Sequence, residues 1–346
     1  MSGCQAVTTG SANLFIAMNH SAPDSDKKST PPGHMEGGVC YRPVQPQPKP
    51  RSVNDWIRFV ARQMAGAELC YATGMQEPYP ESEYLVLHAF GLPMDLPASQ
   101  RPAPPVDAWK RIEALLVARI GHRQPAAYIT GEAFFAGHRF VVDERVLIPR
   151  SRIENILDDP RGFTPWLPAS RVRRILDLGT GSGCLAIALA LAYPKARVDA
   201  VDLSAEALKV AAINRERFGL QRRLRLIRSD LFAALGKERY DLIVTNPPYV
   251  PSADYARLPV EYFREPAMAL SAGADGLDLL VPILRQAPDH LQAGGLLVCE
   301  TGDDVQEILM ARWPDLPVEW LWFHFGTSGV FAVVGETLAV WREHFI

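Results

Sequence analysis

From residue 52 onward, apolar positions recur at the three- and four-residue spacing of helices. Trp56, Phe59, Val60 and Met64 share one face, with Ser52 or Asn54 placed to cap the segment. "ESEYLVLHAF" continues the series. "DAWKRIEALLVARI" carries Ile112, Leu115, Leu116 and Ile120 on one face and ends at Gly121, a C-cap residue type. The pattern predicts a small helical domain over residues 52–124. Next, "FFAGHRFVVDERVLIPR" sets two apolar runs around polar turn material, so residues 125–150 read as a hairpin and linker. Beyond "DDPRGFTPWLPASR" the rhythm changes. Short Val/Ile/Leu runs alternate with helical stretches, and the strands predicted are "RILDL", "RVDAV", "RLRLI", "DLIVT", "GLLVCE", "VEWLWF" and "VFAVV". Strands alternating with helices predict an α/β domain over residues 151–346, with a mostly parallel sheet covered on both faces.

Ahead of this, residues 1–51 are rich in Ser, Gly, Pro and Thr and end in "RPVQPQPKP". Such a segment buries too little apolar surface to repay its ordering entropy, and the expectation is a disordered leader. The apolar patch "ANLFIAM" is its one distinctive feature.

Composition narrows the class. The chain has 346 residues, 48% hydrophobic and 22% charged, with a net charge of −3. That suits a globular protein of two domains and lacks the basic excess common in proteins that hold duplex DNA. "RRLRLIR", residues 222–228, alternates Arg with Leu and Ile and reads first as a half-buried strand with a charged outer face. Cys4, Cys40, Cys70, Cys184 and Cys299 are scattered, with no metal-ligand spacing, which argues for a reducing compartment. His88 and His324 read as structural rather than as ligands. With no apolar run of spanning length and no signal-peptide pattern, the expectations are a cytoplasmic protein and no membrane partner.

In open parallel sheets ligands bind at the carboxyl ends of strands, so the residues just past each strand carry the chemistry. "DLGTGSGCLAIALA" follows the first strand. Asp177 ends it, and Gly179, Thr180, Gly181, Ser182 and Gly183 form a tight loop that runs into an Ala/Leu/Ile helix. Glycines permit close backbone approach, and the helix start offers free N–H groups to an anion. The dinucleotide fingerprint fails because Cys184 stands where its third glycine belongs, and no Walker lysine is present. A ligand with a carboxylate and an adenosine but no pyrophosphate fits better, and S-adenosylmethionine is the common one. The second strand ends "AVDLS", where Asp202 lies 25 residues beyond Asp177, near the interval for an acid that holds ribose hydroxyls. Ser204 reads as a helix cap. In "RSDLF", Asp230 and Leu231 either flank an adenine or are ordinary loop residues.

The fourth strand runs into "YDLIVTNPPYV". Two prolines remove two backbone donors and stiffen the exit, so the corner presents acceptors. Asn246 adds a side-chain carbonyl and Tyr249 a flat ring. A planar NH2 group is the natural guest, and a plain strand-ending turn is the alternative.

The series "DLGTGSG", "VDLS", "SDLF", "NPPYV" resembles the class I S-adenosylmethionine-dependent methyltransferases, which have a Rossmann-like, seven-stranded sheet. With "FREPAMALSAGADGLDLL" and "VLIPR", the resemblance over residues 52–346 narrows to the protein glutamine N5-methyltransferases. "IPRSRIENIL", which keeps only Glu154 of a Pro-Glu-Thr-Glu-like run, is similar to the branch acting on the third protein of the large ribosomal subunit rather than the release-factor branch. The resemblance implies S-adenosylmethionine as cofactor, S-adenosylhomocysteine as product and a ribosomal protein as partner, with no direct nucleic-acid substrate. It implies that Asp177, Gly179, Thr180, Gly181, Ser182, Gly183, Asp202, Asp230, Leu231 and Asn246 hold the cofactor. Asn246, Pro247, Pro248 and Tyr249 hold the substrate, and Asn246, Pro247 and Tyr249 serve catalysis. Release-factor glutamine methylation, nucleic-acid amino methylation, a catalytically silent assembly factor and a small-molecule methyltransferase are the competing readings.

Overall fold

The computed structural model describes residues 41–71, 75, 77–159, 162–322 and 329–345. Residues 1–40, including "ANLFIAM", Cys4 and Cys40, lie outside these, as does His324. Of the expected leader, residues 41–51 are described. Tyr41 packs against the helical core and its hydroxyl donates to Gln63 Oε1 at 3.1 Å, so ordered packing begins before Ser52.

The chain divides into two compact units at Ile129 and Thr130. In the first, α1 (Val53–Ala65) starts at Ser52, whose Oγ accepts from Asp55 N while the Asp55 carboxylate accepts from Ser52 N, a reciprocal capping box. Asn54 has no part in that cap. Trp56, Val60 and Met64 are fully buried against α2 (Pro78–Phe90) and α3 (Ala108–Leu116), the face that the periodicity marks. The expected stop at Gly121 is different. After α3 the chain widens into a π turn, Val117–Gly121, which ends at His122. That turn carries the fully buried Arg119, whose Nε donates to Glu81 Oε1 at 2.6 Å and whose Nη2 donates to the Cys70 carbonyl at 2.8 Å. A short helix, α4 (Ala126–Thr130), spans the boundary.

The second unit opens with strands β1 (Glu132–Phe135) and β2 (His138–Val141), which pair antiparallel around Ala136-Gly137. Ala136 and Gly137 both have positive φ, which matches the right-handed twist of a two-residue hairpin. Only the first part of the predicted extended region is strand. The hairpin is no linker, because Phe140 packs on Phe218 beyond the seventh helix. After α5 (Glu154–Asp158) come β3 (Arg174–Leu178), α6 (Cys184–Ala192), β4 (Arg197–Asp202), α7 (Ala205–Arg217), β5 (Leu224–Arg228) and β6 (Tyr240–Thr245). They are followed by α8 (Ser252–Tyr255), α9 (Leu280–His290), β7 (Leu291–Glu300), α10 (Asp303–Arg312), β8 (Glu319–Trp320), β9 (Val330–Val334) and α11 (Gly335–Trp341). The predicted strand "VEWLWF" is strand only at Glu319–Trp320 among its described residues.

Seven strands form one sheet in the order β5-β4-β3-β6-β7-β9-β8. Pairing from β5 through β7 is parallel, and β9 runs antiparallel to β7 and β8. Alternation along the strands sorts side chains into two cores. Ile175, Val244 and Val298 face α6 and the hairpin, and Leu176, Ile243 and Leu297 face α9, α10 and α11. β5 is one of the two edge strands, and Arg225 on it makes a two-pronged bond to Asp199 at 2.9 and 2.7 Å, the charged outer face expected of "RRLRLIR". The chain order turns back between β3 and β6, so the crevice of a doubly wound sheet opens there.

The buried Arg119 and Glu81 pair gives a direct test of the helical unit. Arg119→Met should cost about 3–5 kcal/mol, because Glu81 is left buried without its partner. Adding Glu81→Leu should restore most of the loss, as read by calorimetric or urea unfolding of both variants.

Candidate active site

The loop after β3 is organised from below. Asp177 is 1% exposed and accepts from Thr180 Oγ1 at 2.6 Å and from Ala186 N at 3.1 Å, tying the loop to the first turn of α6. Burial pushes its carboxyl up to about 7 against the pull of those two donors. Asp177 thus clamps the loop. At Gly183, φ is +80° and an added Cβ would come within 3.2 Å of Ala211 Cβ on α7, so a side chain there would part loop from helix. At Gly179 and Gly181, by contrast, an added Cβ would meet nothing within 4 Å, which leaves backbone open to a guest. The Ser182 carbonyl accepts from Asn214 Nδ2 at 2.9 Å. Asn214, fully buried on α7, also exchanges bonds of 2.7 and 2.9 Å with Val141, an anchor absent from the sequence reading.

Asp202, at the end of β4, is aimed by backbone. Its Oδ2 accepts from Gly181 N and its Oδ1 from Ser204 N, both at 2.8 Å, and each oxygen keeps a further lone pair. Partial burial raises its pKa. Ser204 caps α7 through Ala207 N at 3.1 Å, as its position predicts. Past β5, Asp230 is exposed and Leu231 is half-buried with φ +42°, a left-handed conformation that costs a branched residue on the order of 1–3 kcal/mol. Ser229 holds that bend, donating to the Leu231 carbonyl at 2.8 Å and accepting from Ala234 N at 3.0 Å.

Register then defines the centre. Thr245 lies opposite Leu178 on one side and Cys299 on the other, so Asn246 emerges between Gly179 and Glu300. Asn246 is half-buried, and among the described residues neither its side-chain amide nor the carbonyl of the buried Pro247 has a hydrogen-bond partner. The exit from Pro248 and Tyr249 is locked by Val250, which exchanges bonds of 2.9 and 3.0 Å with Leu270 and Ala272. The Tyr249 ring lies against Gly302, where an added Cβ would come within 2.8 Å of Cε2. Burial lifts its phenol above the ordinary value and keeps it neutral.

A second layer of the site escaped the sequence reading. Residues 148–152 are strapped down by acids from two distant segments. Glu265 accepts from Ile148 N and from Arg150 Nη1, each at 2.9 Å. Arg152 grips Asp303 with bonds of 2.6 and 2.8 Å. Glu300, 1% exposed, accepts from Ser151 Oγ at 2.6 Å and Arg152 N at 2.8 Å, and burial pushes its carboxyl up to about 7. The signal for Glu300 was available, since "GLLVCE" ends in an acid as the earlier strands do. Among the described residues no cluster of His, Cys, Asp or Glu suits a metal ion. No helix there is long and apolar enough to cross a membrane.

Residues 161–275 match the family model described as the methyltransferase small domain. The glycine loop, aimed acid and Asn-Pro-Pro-Tyr corner lie at the switch point of this sheet, and by its fold the chain is a class I methyltransferase. Its curated relatives include the ribosomal protein uL3 glutamine methyltransferase of Bordetella pertussis, 46% identical over 78% of this chain and 91% of the relative. Those of Xanthomonas campestris pv. campestris and Burkholderia pseudomallei bear the same name. They are 44% identical over 82% of this chain and 91% of the relative, and 43% identical over 83% and 96%. The chain belongs to the family of ribosomal protein uL3 glutamine methyltransferases.

The clamp under the loop has a pH signature. An acid whose folded pKa is raised contributes stability that is fully present below its unfolded pKa, about 3.9, and is lost as pH rises through the folded value. For Asp177 that window closes near 7. Asp177→Asn should therefore gain stability relative to the parent as pH rises from 5 to 8. Urea unfolding of both proteins across that range checks it, and parallel curves would count against a titrating clamp.

Proposed function

We propose that this chain transfers a methyl group from S-adenosylmethionine to the side-chain nitrogen of a glutamine in ribosomal protein uL3. The observation that carries the reading is the unpartnered amide of Asn246 beside the unpartnered carbonyl of Pro247, in a chain whose relatives bear that activity in their names.

The cofactor fits the residues present. The open backbone at Gly179 and Gly181 leaves room that side chains would fill, and the aimed carboxylate of Asp202 offers two acceptors to ribose hydroxyls. Asp230 and Leu231 would flank the adenine, and the loop from Gly179 to Gly183 would take the carboxylate end. When bound, S-adenosylmethionine supplies an electrophilic methyl on a sulfonium and leaves as S-adenosylhomocysteine.

An amide nitrogen is a feeble nucleophile because its lone pair is delocalised into the carbonyl. A catalyst must therefore position it. Asn246 Oδ1 and the Pro247 carbonyl would accept the two N–H bonds of the target glutamine, which leaves the nitrogen's remaining direction free for attack. The two prolines hold those acceptors still. Tyr249, fixed against Gly302, would pack on the planar amide and offer π-electron density to a nearby cation, a contribution of about 0.5–2 kcal/mol.

Two variants test the assignment. Asp202→Ala should weaken S-adenosylmethionine binding by calorimetry, through loss of two charge-assisted hydrogen bonds. Unchanged affinity would remove Asp202 from the cofactor site. Asn246→Ala should lower single-turnover transfer to uL3 by on the order of a hundredfold or more, with a much smaller change in cofactor affinity, whereas Asn246→Asp keeps an acceptor and some turnover. Full activity per folded molecule in the Ala variant would reduce this corner to a turn.

A further inference from the structure

The carboxyl edge of the sheet gathers acids and amides, and the opposite edge gathers arginines. Arg174 opens β3, Arg197 opens β4, and Arg222 and Arg223 precede β5. Arg174 pairs with Arg197 and Val198 pairs with Leu224, so Arg223 stands level with Arg197 on the next strand. Cations thus begin three neighbouring strands, about 4.8 Å apart in the pairing direction. With Arg225 they line a cleft of about 420 Å3, whose acids are Asp199 and Glu238. Five arginines against two acids leave the cleft at +3, in a chain of net charge −3.

Neither acid is free to repel an anion. Asp199, 7% exposed, accepts the two-pronged bond from Arg225 and, at 2.8 Å, a bond from the Tyr240 hydroxyl. Glu238 pairs with Arg174, whose guanidinium also lies 5.2 Å from the centroid of the Tyr240 ring. The other three charges are not offset. Arg223 donates to the carbonyls of Ala190, Tyr193 and Ala196 around the end of α6, neutral acceptors that fix the group and leave its charge. Arg197 and Arg222 are exposed, and among the described residues their side chains have no hydrogen-bond or ion-pair partner. Like charges held this close repel one another, and an anion bound between them relieves that repulsion.

We propose that this cleft binds the sugar–phosphate backbone of RNA, so that the enzyme docks on RNA by the edge opposite its active site. Every cation lining the cleft is arginine, whose planar fork meets phosphate oxygens in pairs and whose flat face stacks on bases. An acidic polypeptide shares the charge but brings side chains that need apolar surface. The apolar residues of the lining, Val198 and Leu224, are buried. RNA is a docking partner here and not the methyl acceptor, because strands of five or six residues, roughly 15–20 Å, separate the cleft from Asn246. A ribosomal protein assembles with RNA, so the two edges can engage both partners of one particle. That last step rests on the uL3 reading; the cleft itself does not.

Fluorescence anisotropy of a single-stranded RNA of about twelve nucleotides, titrated with full-length enzyme, tests the assignment. The double variant Arg197→Gln with Arg222→Gln should bind about tenfold more weakly or worse at low salt. It should also flatten the slope of log K against log salt by about 1.4, the loss of two phosphate contacts. S-adenosylmethionine affinity and transfer to isolated uL3 should stay within about twofold. In the parent, ultraviolet crosslinking should attach RNA to residues 195–197 or 221–225, a result that needs no variant to fold. A control pair at exposed cations of the helical unit, Arg62→Gln with Lys110→Gln, should change neither affinity nor slope. The proposal is overturned by no RNA binding in the parent, by unchanged affinity in the double variant or by equal loss in the control. Crosslinks confined to other segments, or equally tight binding of a poly-glutamate of the same charge, overturn it too. Binding is read without methyl transfer, so a failed activity reading would show instead as absent transfer to uL3 with RNA binding intact.

Discussion

The pairing of β6 between β3 and β7 is the constraint on which the site depends. Parallel register sets Thr245 level with Leu178 and Cys299. In consequence the glycine loop, Asn246 and Glu300 leave the sheet side by side. A one-residue slip would turn each strand's apolar set to the wrong core and carry Asn246 to the opposite face. The two cores, sorted by alternation along the same strands, therefore also protect the geometry of the crevice.

Buried acids recur as the means of fixing loops that lack regular structure. Asp177 takes Thr180 and Ala186, Glu265 takes Ile148 and Arg150, and Glu300 takes Ser151 and Arg152. Each carboxylate collects donors that a loop would otherwise leave unpaired in a dry place. The cost is visible in the raised pKa of Asp177 and Glu300, both near 7, where desolvation outweighs the donors.

Strain sits where the ligand reading expects contact. Leu231 adopts a left-handed backbone held by Ser229, and Gly302 takes φ +71° against an aromatic ring, unstrained because it lacks a Cβ. Both lie just past the ends of β5 and β7, at the edge where the acids and amides gather. The Leu231 conformation persists only where surrounding bonds over-determine it.

Much of the architecture was legible in the chain itself. The three-and-four periodicity of Trp56, Val60 and Met64 marked a helix face. The alternation of short apolar runs with helices marked the parallel sheet, and acids and amides at strand ends marked the crevice, because these are local consequences of the 3.6- and 2-residue periods. Tertiary structure decided the rest. Only strand order sets Glu300 beside Asn246, across 54 positions of sequence. Only packing separates Asp177, which clamps the loop, from Asp202, which keeps free lone pairs, although both are acids at strand ends. Only long-range bonds bring residues 148–152 under Glu265, Glu300 and Asp303. Periodicity reports which face of an element is dry. Which distant groups then share that dry space is settled by the sheet, and with it the donors and acceptors that are left over for a substrate.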